Sequence, residues 1–342
     1  NPAMLAFKPE ARKTWEDSKD SIIGFISGTK QETFVDESIA FGIQDTATAN
    51  AFIQDAIDYD YTHVALDSET TGLYPRDGHM LGLSLSYDGE KGAYIDTECF
   101  DETTEALLQE LFDKKTVIFH NAKFDLAFFQ YHFNFNFPQI EDTMLLHYLI
   151  DENPGTHGLK QLAMKYTPYG DYEQPMYEWI GEYRKSHGIL KEQFSWDLIP
   201  FNTMKVYAAM DSLVTFLVYE KFKKIKQNAK LLWVYDNILI PGTRFLLNVQ
   251  DNGVPFDRTR LLVAQELMQS DIDAAVKTLY TNPAIARFEE VQGKQFNPNS
   301  TVQLRSLLFD FLGLQPTGKK TGTGANSTDA EVIGELAEKS DV

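Results

Sequence analysis

Two carboxylates placed two residues apart, directly after an apolar β-forming run, constrain the fold of this chain more than any other feature. The run is His63-Val-Ala-Leu66, the pair is Asp67 and Glu69, and an alternating strand pattern follows over 80–87. Residues i and i+2 of a strand point to the same face of a sheet. Two like charges on one face repel each other unless a cation lies between them. The pattern therefore predicts a β-sheet with a cation-binding face.

A second acidic residue follows another short strand pattern. The apolar run 116–119 precedes Asn121-Ala-Lys-Phe-Asp125, in which Asn121 stands at the expected start of a helix and Asp125 lies one turn into it. Asparagine is a common helix N-cap, so Asn121 has a structural interpretation as well as a functional one. We expect Asp125 to belong to the same acidic set as the pair on the first strand.

The third acidic motif is Tyr207-Ala-Ala-Met-Asp211, on a helix predicted to reach about Lys226. Tyr207 and Asp211 are separated by four residues and therefore share one face of that helix. A phenol beside a metal-binding carboxylate can hold a water molecule. The structural alternative is that Tyr207 is a half-buried aromatic residue and Asp211 an exposed charge.

The donors of the three motifs are oxygen atoms, without cysteine or clustered histidine. Such a set favours a hard divalent ion, Mg²⁺ or Mn²⁺, over zinc.

In order and spacing, the three motifs resemble those of the DEDD 3′-5′ exonucleases. Tyr207, with Val206 where the other branch has histidine, resembles the DEDDy branch. The flanking segments resemble the proofreading domain of family A DNA polymerases and the polymerase thumb that follows it, from about residue 40 to the end. The segments that carry this resemblance are 44–57, 141–149, 239–257, 296–304 and 326–332.

The resemblance implies an α/β fold: a ribonuclease H-like mixed sheet flanked by helices over 40–226, followed by a helical partial thumb over 227–342. Residues 1–39 form a lead-in of unassigned role with one predicted helix at 9–25. The predicted strands lie near 63–69, 80–87, 92–96 and 116–119, and the predicted helices of the second region lie at 231–252 and 258–280.

The resemblance also implies a reaction. Asp67, Glu69, Asp125 and Asp211 would hold two divalent ions, Tyr207 would orient the attacking water, and the 3′-terminal phosphodiester of DNA would be hydrolysed to release 5′-mononucleotides. A single-stranded 3′ end, such as a mismatched primer terminus, is the expected substrate, because the terminal nucleotide must leave the base stack.

The expected substrate contacts are Thr70, Leu73, Asn121, Lys319 and Lys320. Leu73 matches a side chain that wedges against the terminal base, and its alternative is a core leucine. The loop 318–324 carries both lysines, and its alternative is a solvated turn. The aromatic residues of the next region are assigned to packing rather than to base stacking: Tyr166, Tyr169, Tyr172, Tyr177 and Trp179.

The net charge of −19 conflicts with DNA binding, because affinity rises as phosphates are neutralised. Carboxylates can bind DNA through bound cations, and the basic surface of a family A polymerase lies largely in its palm and fingers. Those parts are expected to be absent here, so polymerase activity is not expected from this chain alone, and a separate chain could supply them. The sign reverses locally over 294–328, with four basic residues against Asp310.

Composition predicts a soluble intracellular protein, and the resemblance implies the cytoplasm of a bacterial or phage-infected cell, or an organelle. The 342 residues include one cysteine, Cys99, and no run approaches the ~20 apolar residues of a membrane span. Two other functions stay open. One is a stand-alone exoribonuclease of the ribonuclease D type, and the other is a non-catalytic DNA-binding or scaffold fragment of a split polymerase.

Overall fold

The computed structural model describes residues 38–339, together with Lys19 and Val35. The helix predicted over 9–25 therefore lies outside the described residues, apart from Lys19.

A mixed sheet organises the first part of the chain. In the described residues it has six strands in the spatial order β1-β4-β3-β2-β5-β6. β2 pairs antiparallel with β3 and parallel with β5, and therefore lies inside the sheet. The predicted strands are confirmed, and the short β1 and β6 are additional. The strands are β1 (Ala40–Ile43), β2 (His63–Thr70), β3 (Met80–Ser86), β4 (Gly92–Asp96), β5 (Thr116–Phe119) and β6 (Ile140–Asp142).

Helices cover both faces of this sheet. One hydrophobic cluster contains Val64 and Leu66 of β2 and packs against α1–α3. The other contains Ala65 and packs against α5 and α7. Because side chains alternate along a strand, Asp67 and Glu69 lie on the face of Ala65, toward α7. These helices are α1 (Thr46–Asp58), α2 (Glu102–Lys114), α3 (Ala122–Phe133), α4 (Thr143–Tyr148), α5 (Leu159–Tyr166), α6 (Gln174–His187) and α7 (Phe201–Phe222).

The helix predicted over 231–252 consists of α8 (Ala229–Val234), a π-helical turn over Tyr235–Leu239, and α9 (Ile240–Asn252). Leu247 is buried in the same cluster as Leu66. The first compact unit consequently extends to Gly253, beyond the family-based boundary at 226.

The second compact unit begins at Val254 and is helical, as predicted. A small core of Ile285, Phe288, Phe296 and Leu307 holds it together. No helix in the described residues combines the length and the apolar character needed to span a bilayer. The elements of this unit are α10 (Arg258–Tyr280), α11 (Pro283–Gln292), α12 (Thr301–Arg305), a π-helical turn over Ser306–Phe311, and α13 (Ala330–Lys339).

At Gly92, β4 approaches α7 so closely that a side chain would not fit. A Cβ atom on Gly92 would lie 2.0 Å from the carbonyl oxygen of Ala209, which lies between Tyr207 and Asp211. The absence of a side chain at this position therefore fixes the depth at which α7 packs on the sheet.

We predict that Gly92→Ala lowers the free energy of unfolding by about 1–3 kcal/mol, because the added methyl pushes α7 away from β4. Denaturant titration measures the change. Gly181→Ala is the matched control, since nothing lies within 4 Å of its added methyl in α6. The control should gain roughly 0.5–1 kcal/mol from its higher helix propensity. A Gly92→Ala protein as stable as the parent would contradict the close contact.

Candidate active site

Three of the predicted acidic residues converge on the face of the sheet that α7 covers. Asp67 and Glu69 come from β2 and Asp211 from α7, and one carboxylate oxygen of each lies within 4.8 Å of the others. Glu69 and Asp211 are buried, and Asp67 is half-buried. The alternative in which Asp211 is an exposed surface charge is therefore wrong.

The fourth acidic residue, Asp125, lies beside this cluster but faces a different partner. Its Oδ1 accepts hydrogen bonds from the backbone N–H of Ser68, at 2.9 Å, and from the Ser68 hydroxyl, at 2.7 Å. Ser68 is the residue between Asp67 and Glu69, so its side chain points to the opposite face of β2. Asp125 thereby ties α3 to the strand that carries the other two carboxylates.

Burial and mutual repulsion make these carboxylates hard to ionise together. Burial raises the pKa of Asp67 well above its ordinary value, and the charges of Asp125, Asp211 and Glu69 raise it further. Burial followed by the charge of Asp211 raises the pKa of Glu69. Burial also raises the pKa of Asp125 to about 7, although its hydrogen bonds to Ser68 oppose that shift. The cluster therefore requires nearby positive charge.

The donor set fits a hard divalent cation. The three clustered carboxylates supply oxygen ligands from one rigid strand and one buried helix, and no histidine or cysteine belongs to the cluster among the described residues. Oxygen-only sites of this kind suit Mg²⁺ or Mn²⁺. Asp67, Glu69 and Asp211 could hold such an ion directly.

A lysine that the sequence analysis did not single out contacts this cluster. The ammonium group of Lys160, from α5, forms an ion pair with Asp211 and lies 3.0 Å from the Tyr172 hydroxyl, which also donates a hydrogen bond to Asp211. Tyr172 is buried, so it takes part in the site rather than only packing a loop as expected. No local pattern marks either residue, because both reach Asp211 from distant parts of the chain.

Tyr207 lies over the same lysine. Its ring centroid is 4.3 Å from the Lys160 Nζ, and the side chain is buried. Burial, and after it the charges of Asp211, Glu69 and Asp67, raise the pKa of the Tyr207 phenol well above its ordinary value. Tyr207 is therefore a neutral phenol that can donate a hydrogen bond near the carboxylates.

Asn121 does not cap its helix with its side chain. It adopts a left-handed conformation, with φ of 68°, and makes no side-chain capping hydrogen bond. The buried carboxylate of Asp142 instead accepts from the N–H groups of Asn121, at 3.2 Å, and Ala122, at 2.8 Å. The same carboxylate caps α4 through the N–H of Met144, at 2.9 Å. Asp142, which the sequence analysis also missed, thus fixes the turn that presents Asn121.

The other predicted substrate contacts are divided between the two compact units. Leu73 is 76% exposed, so the interpretation as a core leucine is wrong. The Thr70 hydroxyl donates to the carbonyl of Gly72, at 2.9 Å, within the turn that carries Leu73.

Lys319 and Lys320 belong to the second compact unit. Lys319 forms ion pairs with Asp329 and Glu331, and Lys320 donates to Asn326. Their contact with DNA stays a prediction.

Comparison with known proteins agrees with this geometry. The chain matches the protein family described as 3′-5′ exonuclease, the exonuclease domain of family A DNA polymerases, over residues 41–227. The DNA polymerase of Escherichia phage T5 is 43% identical over 346 residues, which cover 98% of this chain and 40% of the phage protein. DNA polymerase I of Pseudomonas aeruginosa is 25% identical over 295 residues, which cover 81% of this chain and 30% of that enzyme.

Among solved structures, the POL domain of Pol1 from M. smegmatis, in complex with DNA primer-template and dNTP, shares the fold. The TM-score is 0.54 at 21% identity, over 88% of this chain and 45% of that one. The chain spans about 40% of the length of the phage T5 polymerase. The resemblance of the chain to family A DNA polymerases is confirmed, and the chain belongs to the 3′-5′ exonuclease family of these polymerases.

Proposed function

We propose that this chain is a metal-dependent 3′-5′ exodeoxyribonuclease of the DEDDy type, the proofreading part of a family A DNA polymerase. The observation that carries the proposal is the convergence of Asp67, Glu69 and Asp211, whose carboxylate oxygens lie within 4.8 Å of one another. Such a cluster is costly to bury unless it binds cations, and two-ion hydrolysis of phosphodiesters uses a cluster of this kind.

Each acidic residue has a role in this proposal. Asp67, Glu69 and Asp211 would hold Mg²⁺ or Mn²⁺, and Asp125, which Ser68 orients, would support a second ion. When bound, such ions lower the pKa of the attacking water and stabilise the leaving 3′-oxygen. Tyr207 donates its phenol hydrogen bond to orient the attacking water, because its ring lies beside the carboxylates.

The substrate of the proposal is the single-stranded 3′ end of DNA, such as a frayed primer terminus. Leu73 is exposed on the turn after β2 and would wedge against the terminal base. Thr70 and Asn121 would contact the same nucleotide, and Lys319 and Lys320 would contact phosphates of the DNA. The enzyme would act in the cytoplasm of a bacterial or phage-infected cell, beside palm and fingers supplied by other residues or another chain.

A separate observation disfavours each of the two alternatives. A ribonuclease D-type enzyme shares the three motifs, but the phage T5 relative matches across 98% of this chain, including the helical second unit. A non-catalytic fragment would not need to keep three carboxylates within 4.8 Å of one another, two of them buried. Comparing the digestion of DNA and RNA oligonucleotides of one sequence distinguishes an exodeoxyribonuclease from a ribonuclease D-type exoribonuclease.

The first prediction concerns the carboxylates of β2. Asp67→Ala with Glu69→Ala should remove Mg²⁺- or Mn²⁺-dependent release of 5′-mononucleotides, because the cations lose two ligands. The free energy of unfolding measured without metal should not fall, since the substitutions relieve repulsion. Asp88→Ala with Glu90→Ala, an Asp-x-Glu pair in the β3–β4 turn, is the control. Undiminished cleavage by the β2 variant would refute the proposed function.

The second prediction concerns the phenol of Tyr207. Tyr207→Phe keeps the ring that packs beside Lys160 and deletes the hydroxyl. If the hydroxyl orients the water in the transition state, kcat should fall about 10- to 1,000-fold with little change in DNA affinity. Single-turnover cleavage and equilibrium binding separate the two quantities. An equal loss in both would assign Tyr207 to substrate binding instead.

The third prediction concerns Lys160. Without divalent metal, Lys160→Gln should lower the free energy of unfolding by about 1–3 kcal/mol, because the buried carboxylate of Asp211 loses its cationic partner. Added Mg²⁺ or Mn²⁺ should reduce the difference in the free energy of unfolding between Lys160→Gln and the parent. The bound cations would then neutralise Asp211 in both proteins. Lys165→Gln, an exposed position on the same helix, is the control. Thermal melts in EDTA that do not distinguish Lys160→Gln from the parent would contradict this role.

A further inference from the structure

A groove next to the active site is not used by the chemistry described above. A cavity of about 920 Å³ lies between the β2–β3 connection, the second half of α3 and the end of α9. Its lining includes Tyr74, Arg76, Gln130, Tyr131, Asn134 and Asp251. We call this cavity the α3 groove.

The α3 groove adjoins the predicted contacts of the terminal nucleotide. A second cavity, of about 190 Å³, shares Tyr74, Ala127 and Gln250 with it. Leu73 and Asn121 also line that second cavity. Along α3, Tyr131 lies six residues beyond Asp125, which corresponds to about 9 Å of helix rise. The groove therefore leads from the predicted terminal-base contacts away from the carboxylates.

The two tyrosines of the α3 groove are unusually accessible. Tyr74 is 58% exposed and Tyr131 is 50% exposed. The Arg76 guanidinium lies 5.8 Å from the Tyr131 ring centroid and is anchored by the backbone carbonyl of Asp251, at 2.9 Å, and by its carboxylate, at 3.1 Å. Exposed aromatic rings and arginine guanidinium groups are the side chains on which nucleobases stack in proteins that bind single strands.

The charges of the lining indicate which part of a nucleic acid would be recognised. Arg76 is paired with Asp251, and Asp77 adds a further negative charge. A lining of this kind does not attract phosphates, which bind to basic surfaces. The amides of Gln130 and Asn134 and the phenols of the tyrosines suit bases instead. The lining is too polar for the apolar patch that typically binds a protein partner.

We propose that the α3 groove binds the bases of the single strand that lie upstream of the 3′-terminal nucleotide, stacked on Tyr74 and Tyr131. The inference rests on the proposed exonuclease function for the direction of the strand. It predicts a binding contribution that depends on oligonucleotide length, because a dinucleotide occupies the active site but does not reach Tyr131.

Length dependence provides the first test. The variant Tyr74→Ala with Tyr131→Ala is compared with the parent on dT2 and dT8 in Mg²⁺, and the ratio of kcat/KM for dT8 to that for dT2 is measured. Loss of the stacked bases should lower this ratio about 10- to 100-fold. Tyr74→Phe with Tyr131→Phe keeps both rings and should restore most of the ratio. Tyr59→Ala removes a tyrosine that is 44% exposed outside the groove, and it is the matched control.

A ratio unchanged from the parent would overturn the proposal and would leave the groove to a protein partner or to solvent. An equal drop on dT2 and dT8 would also overturn it, because the tyrosines would then support the active site rather than the upstream strand.

A binding measurement separates this inference from the proposed nuclease function. Fluorescence anisotropy of 5′-labelled dT8 is recorded without metal, with the tyrosine substitutions placed in the Asp67→Ala, Glu69→Ala background. A tenfold or greater weakening supports the groove even if the parent shows no nuclease activity. If the parent degrades DNA but the tyrosine substitutions leave the affinity for dT8 unchanged, the proposal for the α3 groove is refuted and the nuclease function stands.

Discussion

The repulsion among buried carboxylates is the constraint on which the rest of the site depends. Asp67, Glu69 and Asp211 lie within 4.8 Å of one another, and burial combined with their neighbours' charges raises the pKa of Asp67 and Glu69. Carboxylates on a mobile surface loop would relieve such repulsion by moving apart. Here two of the groups stand on an interior strand and the third on a buried helix, so the strain persists and favours cations. Lys160 partly satisfies that need from within the chain.

The scaffold holds these groups by close backbone packing and by buried polar contacts. The absence of a side chain at Gly92 sets the distance between β4 and the Tyr207–Asp211 turn of α7. Ser68 fixes Asp125, and Asp142 joins the first turns of α3 and α4. Each contact is made by a residue with no direct part in the proposed chemistry. Positioning of this kind allows a hydrolytic site to stay assembled between turnovers.

The net negative charge of the chain affects how it could bind DNA. A net charge of −19 is unfavourable for attracting phosphates over long distances. Carboxylates that bind metal ions present the charge of those ions to DNA, and exposed aromatic rings bind bases without net charge. Lys319 does not change this balance, because Asp329 and Glu331 pair with it. Strand recognition by this chain would therefore rest on metal ions and stacking more than on basic residues.

Local sequence patterns were sufficient to predict the elements that depend on neighbouring residues alone. An apolar run identified β2, the two-residue spacing placed Asp67 and Glu69 on one face, helical spacing joined Tyr207 to Asp211, and the order of the motifs indicated the family. Only the tertiary structure decided the partners of those groups. Lys160 and Tyr172 reach Asp211 across 51 and 39 residues, and Asp142 reaches Ala122 across 20. The periodicity of a segment records which side of an element is buried, whereas these contacts depend on how distant elements pack together.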